Sequence, residues 1–311
     1  MRLGRAELLA ETSGGAAEPD AWSRWLLERR DAGNARQRGV TLEHLAPIRD
    51  RLLDHAEPLE GATVLDVGSG DALVGLAALD RVGPHGRVIF SDISDALLEH
   101  SRRTVAARGL LDRATFVSAH VEDLAAITDG SVDAATARSV LIYVADKAAA
   151  FAALHRVLRP GGRISLFEPI NRLMFPEPPD RFWGYEVSPV ADLAGKVKAT
   201  FRELEDPAAV AMRNFDDRDL VRLAEVAGFE RVHLECHIEI EPGSVTMRPV
   251  NLDALLDRAP NPLAPTARES IDAALTAPEQ ERFLAHLAGA LADDQPVRRS
   301  ALAYLAAHKR S

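Results

Sequence analysis

From residue 63 the chain alternates short runs of Val, Ile and Ala with stretches of helical spacing. TVLDV is followed by a helix over 73–81, RVIFSD by a helix over 94–107, ATFVSA and VDAATA by a helix over 146–158, and the turn RPGG at 159–162 by RISLFEP. Strands that alternate with helices pair in parallel through right-handed crossovers, and the helices cover both faces of the sheet. The pattern predicts an α/β chain built on a doubly wound, mostly parallel sheet.

After Glu168 this rhythm breaks. Residues 171–215 carry Pro176, Pro178, Pro179 and Pro189 among Phe175, Phe182, Trp183 and Tyr185, and then a helical stretch; a long interruption of this kind reads as an inserted cap or lid. A helix over 216–227, its stop at Gly228 and the strand RVHLECHIEIEP resume the core. Residues 249–295 read as helical and proline-punctuated, and RRSALAYLAAHK supplies a last strand over 299–308, with a terminal helix as its competitor because of its alanines and leucines. The expected organisation is an N-terminal helical segment (1–60), a core (61–170), a cap or lid (171–215), a core continuation (216–240), a helical insertion (241–298) and a final strand (299–311), seven strands in all. Within the first segment Trp22, Trp25 and Leu26 fall on one helical stripe, and Leu42, Leu45, Ile48 and Leu52 recur at helical spacing in a second.

Lys and Arg total 37 against 47 Asp and Glu, a net charge of −10, so there is no chain-wide basic footprint for phosphate backbones or anionic lipid. Small-molecule or protein partners are favoured over nucleic acid and membrane. The single cysteine, Cys236, excludes an intrachain disulfide framework and a cysteine metal cluster, which fits a reducing cytoplasm. The opening residues lack the apolar core of a signal peptide, and no apolar run is long enough for a membrane span. A cytoplasmic location is the expectation.

The first strand runs into VLDVGSGDAL, where Gly68 and Gly70 form a strand-to-helix turn of the kind that lets backbone approach a ligand. A dinucleotide fingerprint would place a third glycine at position 73, which is Leu here, and Asp66 and Asp71 flank the turn where a pyrophosphate would sit. Like charges repel in a low-dielectric cleft, so the turn suits a cationic or zwitterionic ligand. Asp92 ends the second strand, where a carboxylate can accept from both hydroxyls of a ribose. A ribose without phosphate, joined to positive charge, points to S-adenosylmethionine. Each acid has a plainer reading: Asp66 as a helix cap, Asp92 as a turn residue, Asp123 as a surface acid. Their joint placement at successive strand ends is what those readings explain poorly.

Over 61–170, and more weakly over 216–240, the sequence resembles the class I, Rossmann-like S-adenosylmethionine-dependent methyltransferases. The resemblance implies that Asp66, Gly68, Ser69 and Gly70 contact the methionine part of the cofactor, and that Asp92, with Ile93 beside it, holds the ribose. It also implies that Asp123 binds the adenine amino group beside the backbone of Val121 and Glu122, and that Arg138 and Ser139 lie at the methionine end. One departure is Ala72, where the family often has a third glycine.

Methyl transfer from a sulfonium is an in-line displacement, served by alignment and exclusion of water. Tyr143 and Glu168 follow strands four and five and are the candidates for orienting or deprotonating the acceptor; the alternative is that Glu168 caps a neighbouring backbone group and Tyr143 packs. His120 reads as a structural histidine at the strand-three edge. The aromatics Phe175, Phe182, Trp183 and Tyr185 are candidate substrate-binding residues of a lid, or alternatively anchors of a loop. His233, Glu235, Cys236 and His237 share one strand and cannot all face one ion, so no metal is expected. The expected activity is methyl transfer to O or N of a small metabolite or natural product. A peptide or protein acceptor, and a non-catalytic S-adenosylmethionine-binding module, are the alternatives; a nicotinamide oxidoreductase is disfavoured by Leu73 and the paired acids. The segment 249–295 completes the cap or forms a dimer contact, so a homodimer is one expectation.

Overall fold

The computed structural model describes residues 18–242, 249–293 and 296–311. Seven strands form one sheet: β1 Thr63–Val67, β2 Arg87–Asp92, β3 Ala114–Ser118, β4 Val132–Arg138, β5 Leu158–Pro169, β6 Phe229–Pro242 and β7 Val297–Lys309. Their order is β3-β2-β1-β4-β5-β7-β6, with β1 to β5 parallel and β7 running antiparallel between β5 and β6. The four residues 159–162 bulge out of the β4–β5 ladder, whose register jumps from Val132 opposite Leu158 to Ala134 opposite Arg163.

The main helices are α1 Ala35–His55, α2 Leu73–Arg81, α3 Asp95–Ala107, α4 Lys147–Val157, α5 Ala191–Leu204, α6 Asp217–Val226, α7 Ala267–Ala274 and α8 Ala277–Asp293. Several begin where the sequence supplies a side-chain acceptor for the orphan amides of a first turn. Asn34 caps α1, Ser94 caps α3, Asp146 caps α4 and Asp216 caps α6.

Side chains alternate across a strand, so each strand feeds two apolar layers. Leu65, Val67, Ile164 and Leu305 pack with Phe151 and Leu154 of α4 and Leu220 of α6. Val64, Val88, Phe90 and Tyr304 pack on the other face with Leu45, Ile48 and Leu52 of α1 and Leu79 of α2. The strand β7 settles the competition with a terminal helix: Ala301, Ala303 and Ala307 are small enough to lie buried between two flanking strands and the helices above them. Its ends, with those of β6, extend into residues 241–242 and 297–298, which the sequence assigned to an insertion.

The two insertions are one body. Phe182, Val190, Leu193 and Val197 share an apolar core with Leu256, Ile271, Phe283 and Leu287. Among the described residues no helix is long and apolar enough to cross a membrane.

Candidate functional site

The carboxyl ends of β1, β2 and β4 converge on the glycine turn. Gly68 and Gly70 have φ of +60° and +53°, the left-handed region that glycine enters without strain. Ala72 takes the same region at φ +66°, at some steric cost, which is why a third glycine would suit this position. Beneath the turn, Asp66 is almost fully buried; its Oδ2 accepts from the Gly75 amide at 2.8 Å and its Oδ1 from the Thr136 hydroxyl at 3.3 Å. Burial pushes its pKa up to about 7, against the hydrogen bond from Gly75 and the charge of Arg138. Asp66 thus secures the start of α2 and the floor of the turn.

Asp92 joins two loops. Its Oδ2 accepts the Gly70 amide and its Oδ1 the Ser94 amide, each at 2.9 Å, and burial raises its pKa. A carboxylate has about four lone-pair sites, so two directions remain for a ligand's hydroxyls. Next to it Ile93 is exposed, an apolar surface at the rim. Beyond β3, Val121 is buried, Glu122 half-buried and Asp123 exposed on a turn closed by the Asp123 amide on the His120 carbonyl. His120 itself is exposed.

At the end of β4, Arg138 is partly buried; burial presses its guanidinium below the usual range, and Asp71 works against this. Ser139 follows with φ +56° and donates its amide to the Phe167 carbonyl at 2.7 Å, turning the chain sharply. Tyr143 lies in the next turn with its pKa raised by burial and by the charge of Glu168. A phenol so shifted holds its proton, which suits orientation of an acceptor and not its deprotonation.

For Glu168 the structure shows the backbone-capping alternative. It is fully buried, and its carboxylate accepts from the amides of Val140 at 3.0 Å, Leu141 at 2.8 Å and Ile142 at 3.0 Å. Burial outweighs these bonds and pushes its pKa up to about 7. With three amides donating to it, Glu168 fixes the loop that carries Tyr143.

Of the two readings of the aromatics, lid and loop anchor, the contacts of Phe182 and Tyr185 match the anchor. Phe182 and Tyr185 are buried in the cap, Phe182 packing edge-on against Phe283 at 5.4 Å and stacking on Trp183 at 5.7 Å. Trp183 and Gly184 are pinned by their amides on Glu177, at 2.9 Å and 2.6 Å. These residues build the cap, whereas Phe175 is 55% exposed. The strand histidines find a different role as well. His233, Glu235 and His237 lie on one face of β6, and Glu235 takes both imidazoles together with His55 and Arg51 of α1.

Sequence reasoning missed how the N-terminal segment enters the site. Arg30 pairs with Asp71 Oδ2 at 3.3 Å, both side chains under a tenth exposed. The other oxygen, Asp71 Oδ1, is buried without a hydrogen-bond partner among the described residues, as are the hydroxyls of Ser69 and Ser91. Unmet buried polar groups are costly, and Asp71 with Arg138 near it fits a ligand end that bears both a cation and an anion. The clue in the sequence was Asp71 itself, an acid that neither caps α2 nor faces open solvent.

A family model for a methyltransferase domain matches residues 64–162. Nocamycin O-methyltransferase of Saccharothrix syringae is 37% identical over 144 residues, covering 46% of this chain and 48% of that protein. The ubiquinone/menaquinone biosynthesis C-methyltransferase UbiE of Idiomarina loihiensis is 30% identical over 176 residues, covering 55% of this chain and 68% of that one. The chain thus spans about half the length of the first relative and about two thirds of the second. In solved structures, a Bacillus halodurans protein superposes with a TM-score of 0.53 at 18% identity, over 86% of this chain and 100% of that one. The YcgJ protein of Bacillus subtilis gives 0.50 at 18% identity, over 86% and 99%. These two likenesses concern the fold.

Proposed function

The chain belongs to the class I S-adenosylmethionine-dependent methyltransferases, and from that premise we propose that it transfers a methyl group to an oxygen or nitrogen of a small organic acceptor. The observation that carries the reading is the pair of buried oxygens without hydrogen-bond partners among the described residues, Ser69 Oγ and Asp71 Oδ1, on the glycine turn whose Gly70 amide is held by Asp92 and whose Asp71 acts on Arg138. An amino-acid end needs a cation for its carboxylate and an acceptor for its ammonium, and a ribose needs a carboxylate. Arg138, Asp71 and Asp92 meet those needs in that order. Ile93 and Val121 would flank the adenine, with Glu122 and Asp123 at its edge.

S-adenosylmethionine, when bound, supplies an electrophilic methyl group on sulfur. The chain's own contribution is alignment. Glu168 holds three successive amides and so fixes the turn from which Tyr143 reaches the acceptor side. Neither group offers a ready base: Glu168 is occupied and Tyr143 holds its proton. The reading therefore favours acceptors already nucleophilic near neutral pH, such as a carboxylate, an acidic hydroxyl or a neutral amine. The name of the nocamycin relative supports an oxygen acceptor.

Calorimetry with S-adenosylmethionine and its demethylated product tests the cofactor assignment. Asp92→Ala should weaken binding at least about tenfold, since a charge-assisted hydrogen bond contributes roughly 1.5–3 kcal/mol. Unchanged affinity in that variant overturns the ribose assignment. Incubation of small-molecule acceptor pools with methyl-deuterated cofactor, followed by mass spectrometry, identifies the acceptor atom. Label found on carbon alone would overturn the O or N assignment.

A further inference from the structure

Residues 20–31 lie over the glycine turn and contact the core, the loop after β4 and the cap. On the core, Leu26 lies buried over the turn, its Cδ2 only 2.9 Å from where a Cβ on Gly70 would stand. Near the head of α3, against the effect of burial, the Asp20 carboxylate feels the Ser94 hydroxyl, which helps hold its pKa down, and Arg30 pairs with Asp71. On the loop after β4, the Trp22 ring meets Tyr143 edge-on at 4.9 Å. On the cap, Trp25 Nε1 donates to the Ala259 carbonyl at 2.9 Å, and the Ala259 amide donates to the Arg29 carbonyl at 3.1 Å. The base of the segment is fixed to α1 by the Thr41 hydroxyl on Asp31 at 2.6 Å.

We propose that residues 20–30 form a strap that seats over the cofactor once it has entered and transmits its presence to the acceptor side. The inference rests on the S-adenosylmethionine reading. Asp71 is the shared group: one oxygen holds the strap through Arg30, and the other, buried without a hydrogen-bond partner among the described residues, is left for the ligand. A ligand ammonium on Oδ1 consolidates the buried carboxylate on which Arg30 is seated. Loss of Asp71 leaves Arg30 to Asp31, and loss of Arg30 leaves Asp71 with the charge of Arg138, so either change loosens the seat of the strap on the glycine turn. Because the same segment carries Trp22 against Tyr143 and bonds to the cap at Ala259, a seated strap also sets one wall of the acceptor space. The cofactor therefore binds first and the acceptor second.

The backbone contact between Arg29 and Ala259 allows a reversible lock. Arg29→Cys and Ala259→Cys are introduced together with Cys236→Ser, which removes the one native thiol. Cofactor association is followed by stopped-flow fluorescence of Trp22 and Trp25. The oxidised form should associate about tenfold or more slowly, with the reduced form restored to the parent rate. Equal rates in a fully bridged and a reduced sample overturn the strap. Failure of the reduced form and of the parent chain to bind S-adenosylmethionine overturns instead the reading beneath it. Hydrogen exchange on the unaltered chain gives an independent arm. The amides of residues 22–30 should exchange about tenfold more slowly with S-adenosylhomocysteine bound; unchanged exchange at saturating ligand overturns the proposal.

Discussion

Gly75 and Asp66 meet with no slack between them. The Gly75 amide donates to Asp66 Oδ2 at 2.8 Å, and a Cβ on Gly75 would stand 2.9 Å from that oxygen and 2.2 Å from the Phe90 ring. The close approach of α2 to β1 is what seats the carboxylate under the glycine turn. Gly75→Ala should therefore cost about 1–3 kcal/mol of stability, the usual penalty of overpacking, and should weaken cofactor binding as the turn shifts. Gly39→Ala on exposed α1, where a Cβ would meet nothing, should instead stabilise by roughly 0.5–1 kcal/mol. Denaturant midpoints of both variants check the pair.

Burial sets the pH response through Glu168. Its pKa stands at about 7 in the folded chain against 4.5 for an ordinary glutamate. Between those values the native state keeps a proton that the unfolded chain has released, so this group's contribution falls as pH rises through that window. Glu168→Gln should flatten the pH dependence over it. The variant should also be less stable throughout by about 1–3 kcal/mol, because one amide oxygen cannot serve three converging N–H groups. Urea unfolding across the window measures both effects, and a parent-like slope in the variant would remove Glu168 as their source.

The cap core should be separable from cofactor binding. Phe182 is 2% exposed and contacts Phe283 and Trp183, so Phe182→Ala should cost about 3–5 kcal/mol and loosen the cap. Cofactor affinity should stay within about threefold of the parent, well under one hydrogen bond's worth at a charged group. Thermal unfolding and calorimetry on the same sample decide between this and a direct ligand contact.

Tyr143→Phe tests catalysis by alignment. With no base lost, single-turnover transfer should fall by far less than the ~10²–10⁴-fold that a general base supplies. The basic limb of the pH profile should be unchanged. Disappearance of that limb would restore Tyr143 as a proton acceptor.

The parallel core was legible because its signals are local. RVIFSD is β2 residue for residue, and the helix expected over 73–81 is α2. Acids at strand ends were equally visible, since strand direction alone puts Asp66 and Asp92 on one edge. The partners of Glu168 were not, because they come from a loop that precedes it by nearly thirty residues and meets it only once β4 and β5 pair. Sequence left the lid and anchor readings of Phe182 and Tyr185 open for a related reason. Phe283, which covers Phe182, arrives from a distant segment whose apolar positions show no mark of belonging to the same core. Leu26 on Gly70 is legible in neither stretch by itself.

The place of β7 in the sheet also bears on how the protein is made. The strand lies between β5 and β6, and β6 reaches the rest of the sheet only through it. While a ribosome is still extending the chain past residue 242, the five parallel strands can already pair, and β5, with its buried run through Ile164, Leu166 and Phe167, is an open edge. An unpaired apolar edge recruits strands from other chains. The nascent protein passes through this interval while residues 243–296 are synthesised, and ends it only when the final strand threads home. Overexpression that crowds nascent chains together should expose this weakness before any defect of the finished fold, and a chaperone that shields β5 during the interval is the natural remedy.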